Sequence, residues 1–299
     1  MFDNRFETLV ADTEVSKAIH YNLRYQVYCL ERRFENPAAF PDQLETDDYD
    51  KNSVHFIVRH RESGQWIGAM RLVLAISGKL PLTLISTVDT NSIGSLANTI
   101  VAEVSRLCVL PLRNQETTER PDIVHPSVIT LGLIRAARQY LLSHNIQFSY
   151  FLITAQLARI LERVGMEIKP VGPPVDHRGP RRPYVHDVKN GYRTMRDKSP
   201  LVYEMFQVSP AYKHYSKTQV RKTARQFVSD EASDSSEMKS QKPMITCGVN
   251  YALPSDVVAQ VRRQQRKENI VGNNKPSLSF IVGDCCRCEI GYDARRMDR

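Results

Sequence analysis

Val101-Ala102-Glu103-Val104-Ser105-Arg106-Leu107-Cys108-Val109 is the stretch on which the reading of this chain turns. Its β-branched and apolar residues read as a strand, with Glu103 as one carboxylate on an otherwise apolar run. Downstream, Pro126 opens a long helix over 127–144 that ends near Asn145, because proline at the first helical position costs no hydrogen bond. Phe148-Ser149-Tyr150-Phe151-Leu152-Ile153-Thr154 follows as a second apolar strand. Ala155 to Val164 reads as a helix stopped by Gly165, and Met166 to Val171 as a strand that ends in Gly172-Pro173-Pro174. The region to about 207 closes with one or two short helices.

Upstream, Val54 to Arg59 reads as a strand, Glu62-Ser63-Gly64-Gln65 as a turn, and Trp66 to Leu74 as the antiparallel partner. Phe6 to Ala11 is the first strand. Asp12 or Thr13 caps the helix that follows, which runs to about Glu31. Residues 33–52 read as a loop and 77–99 as less ordered. The expected fold is α/β: a mixed, mostly antiparallel sheet of about seven strands, with helices on both faces.

Composition removes several function classes. There is no run of 18 or more apolar residues, so no membrane-spanning helix is expected. Met1-Phe2-Asp3-Asn4-Arg5-Phe6-Glu7 lacks a secretory signal pattern, and a cytoplasmic location is expected. Cys29 and Cys108 are isolated, Cys247 stands alone, and Cys285, Cys286 and Cys288 crowd near the end, which is no disulfide framework. Cys285-x-x-Cys288 has zinc-ligand spacing but no second ligand pair, so no metal site is expected. The formal charge is +8, carried mostly from Lys217 to Arg299, where fifteen Lys and Arg meet ten Asp and Glu. With no nucleic-acid motif in view, no nucleic-acid partner is expected. Residues 217–243 are rich in Ser, Lys, Arg, Gln and Glu, and 244–299 show no sustained period. The expected division is one folded domain over 1–210 and a basic, weakly ordered tail over 211–299.

Three signals carry chemistry. The first is Leu23-Arg24-Tyr25-Gln26-Val27-Tyr28, ahead of a loop that holds Phe34. The second is the acidic run Asp47-Asp48-Tyr49-Asp50, joined by Arg71 in Gly68-Ala69-Met70-Arg71-Leu72. The third is Glu103-Val104-Ser105-Arg106-Leu107. In this order and spacing they resemble the acyl-homoserine lactone synthases. The resemblance is stronger to the related N-acyl amino acid synthases and exosortase-associated acyltransferases. The likeness runs over roughly 5–205 and continues through Leu157-Ala158-Arg159-Ile160-Leu161-Glu162-Arg163-Val164-Gly165. Phe34 stands where autoinducer synthases usually have Trp, and Leu107 replaces a common Phe.

The resemblance implies a GNAT fold whose fourth and fifth strands, here 101–109 and 148–154, splay apart to admit a thioester arm. It implies Glu103, Ser105 and Arg106 as catalytic residues, and Arg24, Phe34, Asp47, Asp50, Arg71, Leu107 and Thr154 as substrate-binding residues. It implies no permanently bound cofactor. The co-substrate is an acyl carrier protein or acyl-coenzyme A thioester, and the acceptor a small amine.

Physical chemistry converges on the same residues. Moving an acyl group from a thioester to an amine needs a neutral amine and a site for the oxyanion, with no nucleophile on the enzyme. Glu103 suits the base, and backbone N–H groups around Leu107–Val109 the oxyanion. The glycine-rich pyrophosphate loop of coenzyme A enzymes is missing after Val109, which favours a carrier-protein donor. An acidic carrier would dock on Arg135, Arg138, Arg159 and Arg163. The acyl chamber is expected near Leu131, Ile134, Tyr150, Leu152 and Thr154.

Structural readings stay open beside these. Arg24 pairing with the acidic run would fix the loop, Arg71 and Arg106 would form ion pairs, and Glu103 would partner either arginine. The expected activity is N-acyl transfer to an amino acid or related amine. Homoserine-lactone synthesis from S-adenosylmethionine is the alternative acceptor reading. A non-catalytic GNAT-like domain that binds lipid or carrier is the alternative of a different class.

Overall fold

In a computed structural model of the chain, the described residues are 2–75, 80–88, 101–112 and 125–218. The chain opens with a helical turn, α1 (Phe2–Arg5), and strand β1 (Phe6–Val10). Helix α2 (Glu14–Arg24) starts from Thr13, whose side chain accepts from Ser16 N–H while the Ser16 hydroxyl returns the bond to the cap, a reciprocal capping box. α2 continues into a π-helical turn over Tyr25–Glu31. Strands β2 (Ser53–His60) and β3 (Trp66–Leu74) form the expected hairpin. A short helix α3 (Leu82–Ile85) precedes β4 (Val101–Val109). Helix α4 (Pro126–Ser143), strand β5 (Phe148–Ile153) and helix α5 (Ala155–Arg163) lie close to their sequence-read bounds. Then come β6 (Ile168–Pro170), β7 (Val175–Asp176), β8 (Pro180–Asp187), α6 (Met195–Lys198), α7 (Pro200–Gln207) and β9 (Lys213–His214).

The sheet runs β6-β8-β5-β4-β3-β2-β1-β9, with β7 paired on β8. Pairing is antiparallel except for β4–β5 and β1–β9. α4 makes the crossover between the parallel pair. Its Ile129, Leu133, Ile134, Ala136 and Ala137 build the main core with Phe56, Met70, Leu72 and Val104. On the opposite face, Ile19, Leu23, Val27 and Tyr28 pack against Leu9, Ile57, Ala69 and Cys108. The sheet is thus covered on both sides, which is why its inner strands are apolar on both faces.

β8 is the main addition to the sequence reading, which placed only short helices there. Its eight residues pair with β5 along the whole of that strand. The sheet also gains β7 and β9, so among the described residues nine strands replace the expected seven or so. The expected boundary at 210 falls three residues before β9; residues from 219 onward, with Cys247, Cys285, Cys286 and Cys288, lie outside the described residues.

α5 ends where the sequence places its stop. Gly165 has φ +89°, and a Cβ there would lie 2.5 Å from Met195 Cα. Gly165→Ala therefore meets both a left-handed backbone and a clash. It is expected to cost about 2 kcal/mol, read as a lower urea midpoint at unchanged slope.

Candidate active site

Four separate segments meet on the α2 side of the sheet. α2 brings Arg24, the following loop brings Glu45, Asp47 and Asp50, β3 brings Arg71, and β4 brings Ser105 and Arg106. The three guanidiniums are at most 1% exposed. Arg24 Nε donates to Glu45, and its Nη1 to Asp50 Oδ1 at 2.7 Å. Arg71 Nη1 donates to Asp47 and, at 3.0 Å, to Asp50 Oδ1, while its Nε donates to Ser105 Oγ at 3.1 Å. Arg106 Nη2 donates to Glu45 Oε1 and Asp47 Oδ2, both at 3.0 Å. Three cations face three carboxylates, as the cost of burying an unpaired charge demands. Burial alone would raise the Asp50 carboxyl, but Arg24 and Arg71 outweigh it and hold it well below the usual range. Asp47 and Glu45 are lowered in the same way. Asp47 also accepts from Tyr49 N–H at 2.9 Å, and Asp50 Oδ2 accepts from Asp47 N–H at 2.7 Å, so the acidic run is itself a capped turn. Arg24 and Arg71 each keep Nη2 without a hydrogen-bond partner among the described residues.

Two buried histidines adjoin this cluster. The His20 and His55 rings lie 4.6 Å apart, and His55 Nε2 is 3.2 Å from Asp50 O. Burial pushes His55 down to about 4, and pushes His20 well below its ordinary value with help from His55 and Arg24.

Glu103 lies beside the cluster and is fully buried. Its Oε2 accepts from the Leu82 N–H at 2.8 Å, so α3 sits directly over it. Thr87 O would lie 2.2 Å from a Cβ on Gly172, so the same segment is pressed against residue 172 as well.

β4 and β5 then part. They pair only from Val101–Val104 with Phe148–Phe151; beyond that β4 stays on β3 and β5 on β8. The gap holds a narrow cleft with a cavity volume of about 10 Å³, lined by Val104, Ser105, Leu107, Ile134, Phe151, Ile153, Leu157 and Leu161. Leu110 N–H donates to Ile67 O at 2.8 Å. By the alternation of an antiparallel ladder, the Val109 amide therefore faces away from β3, toward the gap.

Residues 23–120 match the acetyltransferase (GNAT) domain. With the parallel, splayed β4–β5 pair in a mixed sheet, that decides the fold. This is a GNAT fold. The chain carries an acyltransferase domain. Among solved structures it is similar to the acyl-homoserine lactone synthase LasI, at 18% identity and TM-score 0.45, over 64% of this chain and 93% of that one. The coenzyme A-dependent acyl-homoserine lactone synthase BjaI gives 16% and 0.47, over 70% and 92%. FeeM, an N-acyl amino acid synthase from uncultured soil microbes, gives 13% and 0.43, over 67% and 98%. A search of the curated proteins finds no match. At these identities and scores nothing about the substrate follows.

In this GNAT frame the sequence-named residues fall into two groups. Arg24, Asp47, Asp50, Arg71, Ser105 and Arg106 form one network, with Leu107 and Ser105 reaching the cleft. Phe34 is half-buried near Tyr28, ring centroids 6.3 Å apart, under the Arg178 guanidinium at 5.7 Å. Thr154 caps α5, accepting from Leu157 N–H at 3.3 Å. Of the residues expected in the acyl chamber, Ile134 lines the cleft. Tyr150 and Leu152 lie on the opposite face, because the side chains of a strand alternate. Arg135 is buried rather than available for docking; it pairs with Asp3 and donates to Met205 O at 3.0 Å. Arg138 lies over the Tyr192 ring at 4.6 Å, whereas Arg159 and Arg163 are exposed on α5. Glu45 was missed. Three buried arginines set against two named aspartates call for one more anion, and that imbalance was the available signal. No group of described residues is placed to hold a metal ion, and no described helix is long and apolar enough to cross a membrane.

Glu45→Gln removes the anion shared by Arg24 and Arg106. Its expected cost is about 3–5 kcal/mol in urea unfolding. The histidines set a second expectation. Unfolded imidazoles take up protons near pH 6.5, while folded His55 resists until about 4, so stability is full above 6.5 and falls as pH drops toward 4. Denaturation midpoints measured across that window should decline, and His55→Gln should flatten the decline.

Proposed function

We propose that this chain transfers a fatty acyl group from a thioester donor to the amine of an amino acid or related small acceptor. The observation that carries the reading is the parting of β4 from β5 just beyond Glu103, with an apolar cleft on one side and a buried carboxylate on the other.

The cleft walls formed by Leu107, Ile134, Phe151 and Leu157 part to admit the acyl chain. The thioester carbonyl rests where β4 and β5 part just beyond Glu103, and a β4 backbone N–H freed by that parting stabilises the oxyanion. The acceptor amine gives its proton to Glu103, directly or through a water. The nitrogen attacks the carbonyl carbon, the C–N bond forms, the C–S bond breaks, and the thiolate leaves and is protonated. Arg24, Arg71 and Arg106 hold the loop that walls the acceptor side. The open Nη2 groups of Arg24 and Arg71 leave those two side chains capacity to bind the acceptor too. Ser105 orients Arg71 rather than acting as a nucleophile.

The donor is taken to be an acyl carrier protein. Exposed Arg159 and Arg163 sit on α5, whose opposite face supplies Leu157 and Leu161 to the cleft, so an acidic carrier docked there delivers its arm locally. Within this reading the chain is a cytoplasmic enzyme of the exosortase-associated type that its motifs resemble.

Lipid extracts of cells that express the wild type should contain a new N-acyl species by mass spectrometry. Cells that express Glu103→Gln should yield at least a hundredfold less of it at equal protein level. Equal yields from both would remove Glu103 from the chemistry.

A further inference from the structure

Glu103 has a cross-strand neighbour that the mechanism above does not use. In the parallel β4–β5 pair, Glu103 stands opposite Tyr150, so their side chains share one face of the sheet. Tyr150 is 2% exposed, and its hydroxyl finds no hydrogen-bond partner among the described residues. The ring packs with Leu80, Leu82, Leu152, Val171 and Val185, and Leu82 is the residue whose N–H caps Glu103. The phenol and the carboxylate thus lie on one face of the sheet, and both meet Leu82 of the 80–88 segment. Burial pushes the phenol up to about 12, so it remains a neutral donor at any working pH.

A buried hydroxyl left without a partner is costly, and a protein retains one readily where a ligand completes the bond. We infer that the Tyr150 hydroxyl binds an oxygen of the acceptor, so that the acceptor is an amine bearing a carbonyl, carboxylate or hydroxyl oxygen a few bonds from its nitrogen. Neighbouring strands lie about 4.8 Å apart, and this sets the scale of the separation between the amine held at Glu103 and the oxygen held at Tyr150. Tyr150 precedes the point where the strands separate and faces away from the acyl cleft, so its partner is the acceptor and not the acyl chain. Tyr150 is a specificity residue in this account, which rests on the amine-acylation reading.

The test uses the full chain, wild type and Tyr150→Phe, with calorimetric titration of three sets of amines. The first set is the amino acids, the second their amides and amino alcohols, and the third the matching alkylamines without oxygen. The wild type should bind oxygen-bearing amines best, and the three arms show whether carboxylate, amide or hydroxyl is preferred. Tyr150→Phe should weaken the preferred ligand about tenfold, the usual worth of one hydrogen bond, and leave the alkylamine unchanged. Without ligand, Tyr150→Phe should unfold at the same or higher urea concentration than wild type, because it removes an unpartnered polar atom. A lower midpoint means that the hydroxyl has a structural bond, and it overturns the inference. So does equal weakening of every amine, or none. If no amine binds the wild type at all, the amine-acylation reading falls first and the role of Tyr150 falls with it.

Discussion

With Arg106 in the left-handed region at φ 53°, β4 carries one residue more than β3 across the site: Ala69 faces Cys108 and Arg71 faces Ser105, so Arg106 and Leu107 together oppose Met70. The bulge reverses the strand's parity. Ala102 and Val104 before it, and Leu107 and Val109 after it, all reach the α4 core, while Ser105 meets Arg71 of β3 and Arg106 engages the charged loop. A regular strand would send Ser105 and Arg106 to opposite faces and put a guanidinium into the apolar cleft. A non-glycine residue with this backbone costs on the order of 1–3 kcal/mol, and three surrounding carboxylates and the Tyr28 ring, 5.5 Å away, hold it there. One distorted residue thus lets a single strand serve an ionic wall and a lipid-like wall at once.

That ionic wall supplies geometry more than energy. A buried pair of opposite charges roughly recovers what desolvation removes, so the six groups add little net stability over a well-packed apolar substitute. They add selectivity of arrangement. Each carboxylate is engaged by two guanidiniums, so the loop carrying Glu45, Asp47 and Asp50 can sit on the sheet in one register. Misplacing the loop would strand several charges in a medium that cannot solvate them.

Much of this was legible in the residues. Proline, glycine and capping threonine marked the ends of α4, α5 and α2, because each acts through local backbone geometry. The order of Arg24, the acidic run, Arg71 and Ser105-Arg106 was legible because residues of that kind must find each other or water. β8 was not. Its burial alternates as a strand should, but Arg181 occupies a buried position and prolines stand at 180 and 183, so the apolar period is broken in the sequence. Arg135 misled for a related reason. A basic residue on a helix reads as solvated, and its partners Asp3, Met205 and Ala211 are remote in sequence. Tyr150 was placed in the wrong compartment because a run apolar on both faces hides which face each residue takes.

The two residues of β9 have a bearing on how the folded chain meets its own copies. Lys213 and His214 lie parallel to Leu9 and Val10, and Asp12 clasps the turn that follows by accepting from Ser216 N–H at 2.9 Å and from the Ser216 hydroxyl at 2.7 Å. They cover part of the outer edge of β1, where backbone amides and carbonyls would otherwise stand open beside buried side chains. The penalty for losing this short clasp would fall on colloidal behaviour. An uncapped β1 edge invites strand addition by a neighbouring molecule, so the clasp keeps the sheet from growing outward.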